Sequence, residues 1–411
     1  MGRAGLMSAP LSPRSSRSGL RRLLLVGIGL VAAGALLFVA WLRRADARPE
    51  PVRPSNAVGD ATCLSCHRDK ASFEGTAHRR TTSLPTHQAM SASFRSGENP
   101  VQSASREQHF RIDADSSGYY QTAVLGSGKD SVVRRERVGL VVGSGRKGQT
   151  FLYWRGDQLF QLPLSYWNSV GAWIMSPGSG YGAGSANFDR GVAPRCLECH
   201  ATWVEPVPEL TVTNRYRADS AIMGITCERC HASGREHVAR ERTVLHAMRR
   251  PAIANAARMT REQKMDACAQ CHGGLGRPIA PPFSYVAGQR LSNYLALLQQ
   301  PGASVDVHGN QVALLSQSKC YRSSQMTCVT CHDVHAQQRS PAALSGRCMA
   351  CHQEQSCGLF SKRGHAIAGR CVDCHMPLQQ SNAIVSSFNG KEEHAMVRTH
   401  LIRVYPEMGA R

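Results

Sequence analysis

The chain has 411 residues, 42% hydrophobic and only 6% aromatic, with sixteen cysteines, seventeen histidines and a formal charge of +20. That much cysteine and histidine argues against an ordinary cytosolic enzyme, whose thiols are few and kept reduced. The lack of long low-complexity runs beyond the first 22 residues argues against a disordered chain.

Residues 1–22 form a basic N-region carrying Arg3, Arg14, Arg17, Arg21 and Arg22. Residues 23–42 then read LLLVGIGLVAAGALLFVAWL, without a charge. About 20 such residues span a bilayer as a helix, so one N-terminal transmembrane helix is expected. The heavier basic run before it favours an N-in orientation, although Arg43 and Arg44 follow it. The competing reading is a signal sequence cleaved at Ala45-Asp46-Ala47. Against it, the apolar stretch exceeds the usual run of about 7–15 residues. Both readings place the body on the periplasmic, extracytoplasmic side, anchored by a single pass or secreted. Residues 43–58, with their prolines, read as a linker.

Residues 59–100 hold the motif Cys63-Leu-Ser-Cys66-His67. Residues 101–195 lack cysteine and read as an antiparallel β insert. QHFRIDADSSGYYQTAV is a hairpin around Asp-Ser-Ser-Gly, and GQTFLYWRGDQLFQLPLSYW is another around Arg-Gly-Asp. A Val-rich strand falls within 138–145, and Ser176–Gly184 is a glycine-rich loop. Six further C-x-x-C-H motifs crowd into 196–380: Cys196/Cys199/His200, Cys227/Cys230/His231, Cys268/Cys271/His272, Cys328/Cys331/His332, Cys348/Cys351/His352 and Cys371/Cys374/His375. Short helices and loops are expected around them, with an amphipathic helix over Leu291–Leu298. Residues 381–411 form a tail.

C-x-x-C-H is the attachment site of c-type haem. Two cysteines on one helical turn add across the two vinyl groups, and the next histidine binds the iron from the proximal side. Zinc sites also use C-x-x-C but need no histidine after every pair. A thioredoxin-type pair would be single and set in a βαβ unit. Seven such motifs predict seven covalently bound haem c groups, and at this density the haems themselves fill the core. The expected fold is therefore a mainly α and irregular multihaem arrangement with stacked haems, plus the β insert.

The charge fits this reading. Seven of the arginines fall in residues 1–44, leaving +13 for the rest. Propionates and ferric centres of seven haems bring that to about +6 oxidised and about −1 reduced. The excess is diffuse, so no nucleic-acid partner is expected.

Ten histidines lie outside the motifs. A residue soon after its own motif sits on the proximal side and more readily reaches a neighbouring haem. That favours His237 in CHASGREH and His335 in CHDVH as distal ligands, with His78 after the first motif and His365 before the last. His394 and His400 lie in the tail, where a chain end can fold back over a haem. His308, His87, His109 and His246 are weaker candidates, and Met90, Met326 and Met396 cannot be ranked. Cys320 and Cys357 are left over, either as a disulfide or as inert thiols.

CLSCHRDKASFEGTAH, CERCHASGREH, MTCVTCHDVHA and the closing CVDCHMP resemble multihaem cytochromes of the cytochrome c-554/c-552 group. The closing C-x-x-C-H-M-P is also shared with the nitrite reductase and hydroxylamine oxidoreductase multihaem superfamily. The resemblance covers roughly residues 59–400. It implies bis-His electron transfer, with His78 and His335 as distal ligands. The chain departs from many catalytic relatives in having no C-x-x-C-K motif.

Two functions follow. The first is electron transfer along packed haems, to or from redox proteins or a quinol-oxidising membrane complex. The second is an oxidoreductase acting on a small nitrogen or sulfur species at one five-coordinate haem, with Tyr181, Arg190 and His246 available as donors.

Overall fold

The computed structural model describes residues 17–44, 49–99, 101–102, 107–177, 188–208, 213–243, 252–274, 276–297, 310–338, 340–388 and 391–409. Arg17–Arg44 is one helix, and its described side chains, residues 25–38, are exposed. Those residues cover about 21 Å at 1.5 Å per residue. Among the described residues no helix is long and apolar enough to cross a membrane. The span expected over 23–42 runs past the described side chains at both ends.

The expected linker is not free. Val52 is buried, and the amide of Ser233 donates to the Glu50 carbonyl at 3.0 Å. Residues 49–59 are thereby laid against the turn that follows the third motif. An apolar anchor and satisfied backbone groups override the proline-rich composition.

Nine strands build the region before the second motif: β1 (Thr82–Ser83), β2 (Val101–Gln102), β3 (Gln108–Asp115), β4 (Gly118–Leu125), β5 (Val132–Arg137), β6 (Leu140–Val142), β7 (Gly148–Arg155), β8 (Gln158–Trp167) and β9 (Ala172–Met175). They pair as two antiparallel sheets, β2-β3-β4-β5 and β1-β6-β7-β8-β9. Both hairpins read from the sequence are present, β3–β4 closing at Asp115↔Gly118 and β7–β8 at Arg155↔Gln158. Alternation buries Phe110 and Ile112 of β3 against Phe151, Tyr153, Leu162, Leu164 and Trp173. Gln121 ties the sheets together: its amide donates to the Leu164 carbonyl at 2.9 Å and accepts from the Leu164 amide at 3.0 Å.

A second core joins this module to the second motif. Leu197, inside that motif, packs with Leu140, Leu152, Leu159, Trp203, Tyr216 and Phe283. Beyond it the apolar clusters among the described residues shrink to four buried residues each.

The later region holds more strand than expected. β10 (Ala201–Pro206) pairs with β11 (Tyr216–Met223), β12 (Gly276–Pro278) with β13 (Leu295–Leu297), and β14 (Leu378–Phe388) with β15 (Lys391–Arg398). Described helices and antiparallel sheets are thus mixed along the chain, rather than segregated into a β insert and a helical remainder. The ribbons are short or broken by register shifts, so they lack the clean alternation that marks a strand. The helix expected over Leu291–Leu298 is a 3₁₀ turn, Leu291–Asn293, running into β13. Eight residues are too few for helical periodicity to prevail against pairing with β12.

Candidate functional site

Each of the seven motifs lies in a helical turn. Six are α-helical, within Asp60–Cys66, Pro194–His200, Cys227–His231, Arg261–His272, Cys328–Cys331 and Cys371–His375. The sixth in chain order forms the 3₁₀ turn Cys348–Ala350. A helical turn puts residues three apart on one face, which is the geometry two thioether bonds to one porphyrin edge require.

The turns also contact one another. The side chains of Cys63 and Cys227 lie close together, as do those of Cys199 and Cys271, Cys268 and Cys328, and Cys348 and Cys371. Cys331 lies in the field of Cys351, and Cys271 in that of Cys230. All seven attachment turns therefore join in one continuous network. Cys374, the second cysteine of the last motif, faces the chain end instead. It is half-buried, with Sγ 4.0 Å from the Met408 carbonyl and Cys371 of its own motif within its field. The short helix Pro406–Gly409 at the end of the tail brings that carbonyl onto the turn.

Among the described residues, four motif histidines face a second imidazole. His67 stacks on His237 with ring centroids 6.3 Å apart and planes 19° from parallel. His231 and His335 are 6.2 Å apart at 15°, and His332 and His400 are 6.3 Å apart at 30°. His272 and His78 are 6.1 Å apart at 77°. A metal–nitrogen bond of about 2.0 Å, with roughly 1.1 Å from nitrogen to ring centre, separates two ligand rings by about 6.2 Å across one ion. Each gap is the size of one iron with two axial imidazoles.

His352 departs from that pattern. The 3₁₀ turn of its motif stops at Ala350, and His352, like His67 and His332, lies beyond its turn and is exposed. Its amide still donates to the Cys348 carbonyl at 3.0 Å, which keeps it one turn on from the first cysteine. Among the described residues no second imidazole stands opposite it. His365, the candidate nearest in sequence, is drawn away by a local carboxylate.

Long-range hydrogen bonds hold the second rings in place. The His78 carbonyl accepts from the Ile225 amide at 3.0 Å, and Thr81 and Thr82 both donate to the His200 carbonyl at 2.7 Å. Gly224 (φ +68°) allows this approach, since a Cβ there would collide with the Arg79 carbonyl. Ser72 donates to the His335 carbonyl at 2.8 Å. For His400, the Ser318 hydroxyl donates to its carbonyl at 3.1 Å and accepts from the Ile402 amide at 2.8 Å.

The ring nitrogens agree with ligation. The Nδ1 of His231 donates to the Ala254 carbonyl at 2.9 Å, that of His375 to Arg403 at 2.9 Å and that of His400 to Arg398 at 3.2 Å. His272 Nδ1 donates to Gln311 Oε1 at 3.3 Å. Each such bond leaves the Nε2 lone pair for a metal. Burial lowers the pKa of His78, His237, His272, His332 and His335, and lowers that of His400 to about 4. These six rings are neutral at pH 7, which is the ligating form.

The remaining expectations fare differently. His365 is exposed, with Nδ1 paired to Glu354 and its ring edge-on to Phe360. His394 donates from Nδ1 to the Ser381 carbonyl at 2.9 Å, with Nε2 3.5 Å from Glu392. Among the described residues neither ring faces a motif histidine; local partners hold both. His87 is exposed in a turn and His109 lies on β3. Met90 packs on the core of the β module, and Met396 is exposed on β15. Tyr181, His246 and His308 lie outside the described residues. Cys320 and Cys357 are not joined: Cys320 lies near Cys331 and Cys348, and Cys357 near Cys371.

Sequence reading misses the charged residues between the turns. Asp60 Oδ1 accepts from the Cys227 amide at 2.9 Å, and Oδ2 pairs with Arg79 at 2.6 Å. Glu228 accepts from the amides of Val58, Gly59 and Gly234. Arg195, Glu198, Arg229 and Gln270 line one pocket between the second, third and fourth motifs. Four of these residues occupy variable positions of the motifs themselves, which carry no sequence signal.

The donor set suits haem better than a bare ion. Among the described residues no group of three or more His, Cys, Asp or Glu could hold a metal. Two opposed imidazoles supply only axial ligands, and the equatorial nitrogens of a porphyrin supply the rest. Residues 182–232 match the family model described as cytochrome c554 and c-prime. This segment contains the motifs ending at His200 and His231. The match supports a c-type cytochrome, with covalently bound haem c and electron transfer as its work. No curated protein and no solved structure matches the chain.

Proposed function

We propose that this chain is a seven-haem c-type cytochrome that carries electrons between redox partners along closely packed haems. The observation that carries the reading is the four imidazole pairs, 6.1 to 6.3 Å between centroids. Haem bound at the motifs supplies one-electron chemistry between its ferric and ferrous states. The motif cysteines tether it, and the paired rings of His67/His237, His231/His335, His272/His78 and His332/His400 hold the iron from both sides. With the ligand sphere filled, these sites favour electron transfer over binding a small substrate. The network of cysteine contacts keeps neighbouring haems close enough for transfer from one to the next.

In this reading the N-terminal helix anchors an exported body to the outer face of a membrane. The twenty uncharged residues 23–42 and the arginines before them support it. The partners are then redox proteins or a quinol-oxidising membrane complex. The closing C-x-x-C-H-M-P supports kinship with the multihaem nitrite reductase and hydroxylamine oxidoreductase group.

Electron paramagnetic resonance of the ferric protein tests the ligation. Low-spin signals from at least four irons per chain are expected. A spectrum dominated by high-spin iron would contradict the paired imidazoles.

A further inference from the structure

The side chains between the attachment turns differ in sign from one junction to the next. Where the first and third motifs meet, Asp60 and Glu228 are both buried, at 9% and 3% exposure. Glu228 is satisfied by backbone amides alone, at 2.8 to 3.1 Å. Arg79, paired to Asp60, is the one cation bonded to either carboxylate among the described residues. Both acids exert their field on Cys63, an attachment sulfur of the first motif. This junction carries a net negative charge inside the protein.

Where the second, third and fourth motifs meet, the balance reverses. Arg195 donates to the Gln270 carbonyl at 2.6 Å, and Arg229 to the Glu198 carbonyl at 3.0 Å. Arg229 is 7% exposed, and both guanidiniums keep a buried Nε without a hydrogen-bond partner. Glu198 lies 3.8 Å from Arg195 and is the acid of the cluster. Arg195 and Arg229 act on Cys199 and Cys271, and Arg190 acts with Arg195 on Cys196. This junction is net positive.

Oxidised haem iron carries one more positive charge than reduced, so a buried anion nearby favours the ferric state and a buried cation the ferrous state. We propose that these junctions set a potential gradient: Asp60 and Glu228 lower the potential of the haem at motif one, Arg195 and Arg229 raise those at motifs two and four, and motif three, which carries both Glu228 and Arg229, lies between them. Electrons received at motif one then run through motif three to motifs two and four. Each step oxidises one ferrous iron at the acidic junction and reduces one ferric iron at the basic one. One electron moves; no bond is made and no proton is needed. Cys271 lies in the field of Cys230, which places the two junctions side by side. An external one-electron donor loads the acidic end.

The inference rests on the multihaem electron-transfer reading, and the test separates the two. Haem content and low-spin character of the wild-type protein examine that reading first. Potentiometric titration of the intact holoprotein then compares Glu228→Gln, Asp60→Asn and Arg195→Gln. Both acid variants should shift one set of components upward. Arg195→Gln should shift a different, higher-potential set downward. If Glu228→Gln fails to load haem, Asp60→Asn, whose side chain still accepts from Cys227, carries the acidic arm. Unchanged titrations, or acid variants that move the same components as Arg195→Gln, would overturn the gradient while leaving electron transfer intact.

Discussion

The imidazoles of His231 and His335 lie 6.2 Å apart with their planes 15° from parallel. One ring belongs to the third attachment motif; the other follows the fifth. In the proposed ligation, the second ligand of one haem comes from the chain segment of another. His335→Ala should leave haem content unchanged and convert one low-spin ferric signal to high spin. Resonance spectra of wild type and variant check it, and retention of every low-spin signal would remove His335 from the ligand set.

Gln311 is the side-chain acceptor for the Nδ1 proton of His272, at 3.3 Å. That bond makes the imidazole more electron-rich and stabilises ferric iron. Gln311→Leu should raise the potential of one haem while the spectrum stays low-spin. A redox titration reads the shift, and a fall in potential would refute this role.

Ser318 is 1% exposed and clasps the tail on both sides of Leu401. Losing the hydroxyl leaves the Ile402 amide without its acceptor, a cost of about 1–3 kcal/mol. Ser318→Ala should loosen His400 from its place opposite His332. Carbon monoxide binding to the ferrous protein should then rise at one haem. An unchanged carbon monoxide difference spectrum would mean that Ser318 does not secure the ligand.

Leu162 is fully buried between the two sheets. Leu162→Ala should cost about 2–5 kcal/mol, the usual loss on emptying a packed site. Denaturation followed by tryptophan fluorescence should show it, because Trp173 lies in the same core. The haem absorption spectrum of the native variant should not change. Altered haem bands before unfolding would show that the β module and the haem sites are mechanically coupled.

What is legible in the sequence is local. The motif at Cys63–His67 is five consecutive residues, and the β3–β4 hairpin turns on Ser116 and Ser117. Offsets after a motif point to His78, His237 and His335 as ligands, but not to the iron each would face. Pairing depends on long-range contacts such as Ile225 to His78 and Ser72 to His335. His365 shows the same limit, because a local carboxylate, Glu354, takes the nitrogen that a longer contact would have oriented. His352 shows it from the motif's side: five matching letters do not reveal that its cysteines sit on a 3₁₀ turn, Cys348–Ala350, rather than an α-helix. Asp60 and Glu228 are invisible for another reason: an acid becomes informative only once its burial and neighbours are known.

The central claim is tested most directly by counting haem per chain. Pyridine haemochrome absorbance of the purified protein, set against protein concentration and intact mass, should give seven covalently attached haems. A count clearly below seven, or mass without covalent haem, would contradict the account.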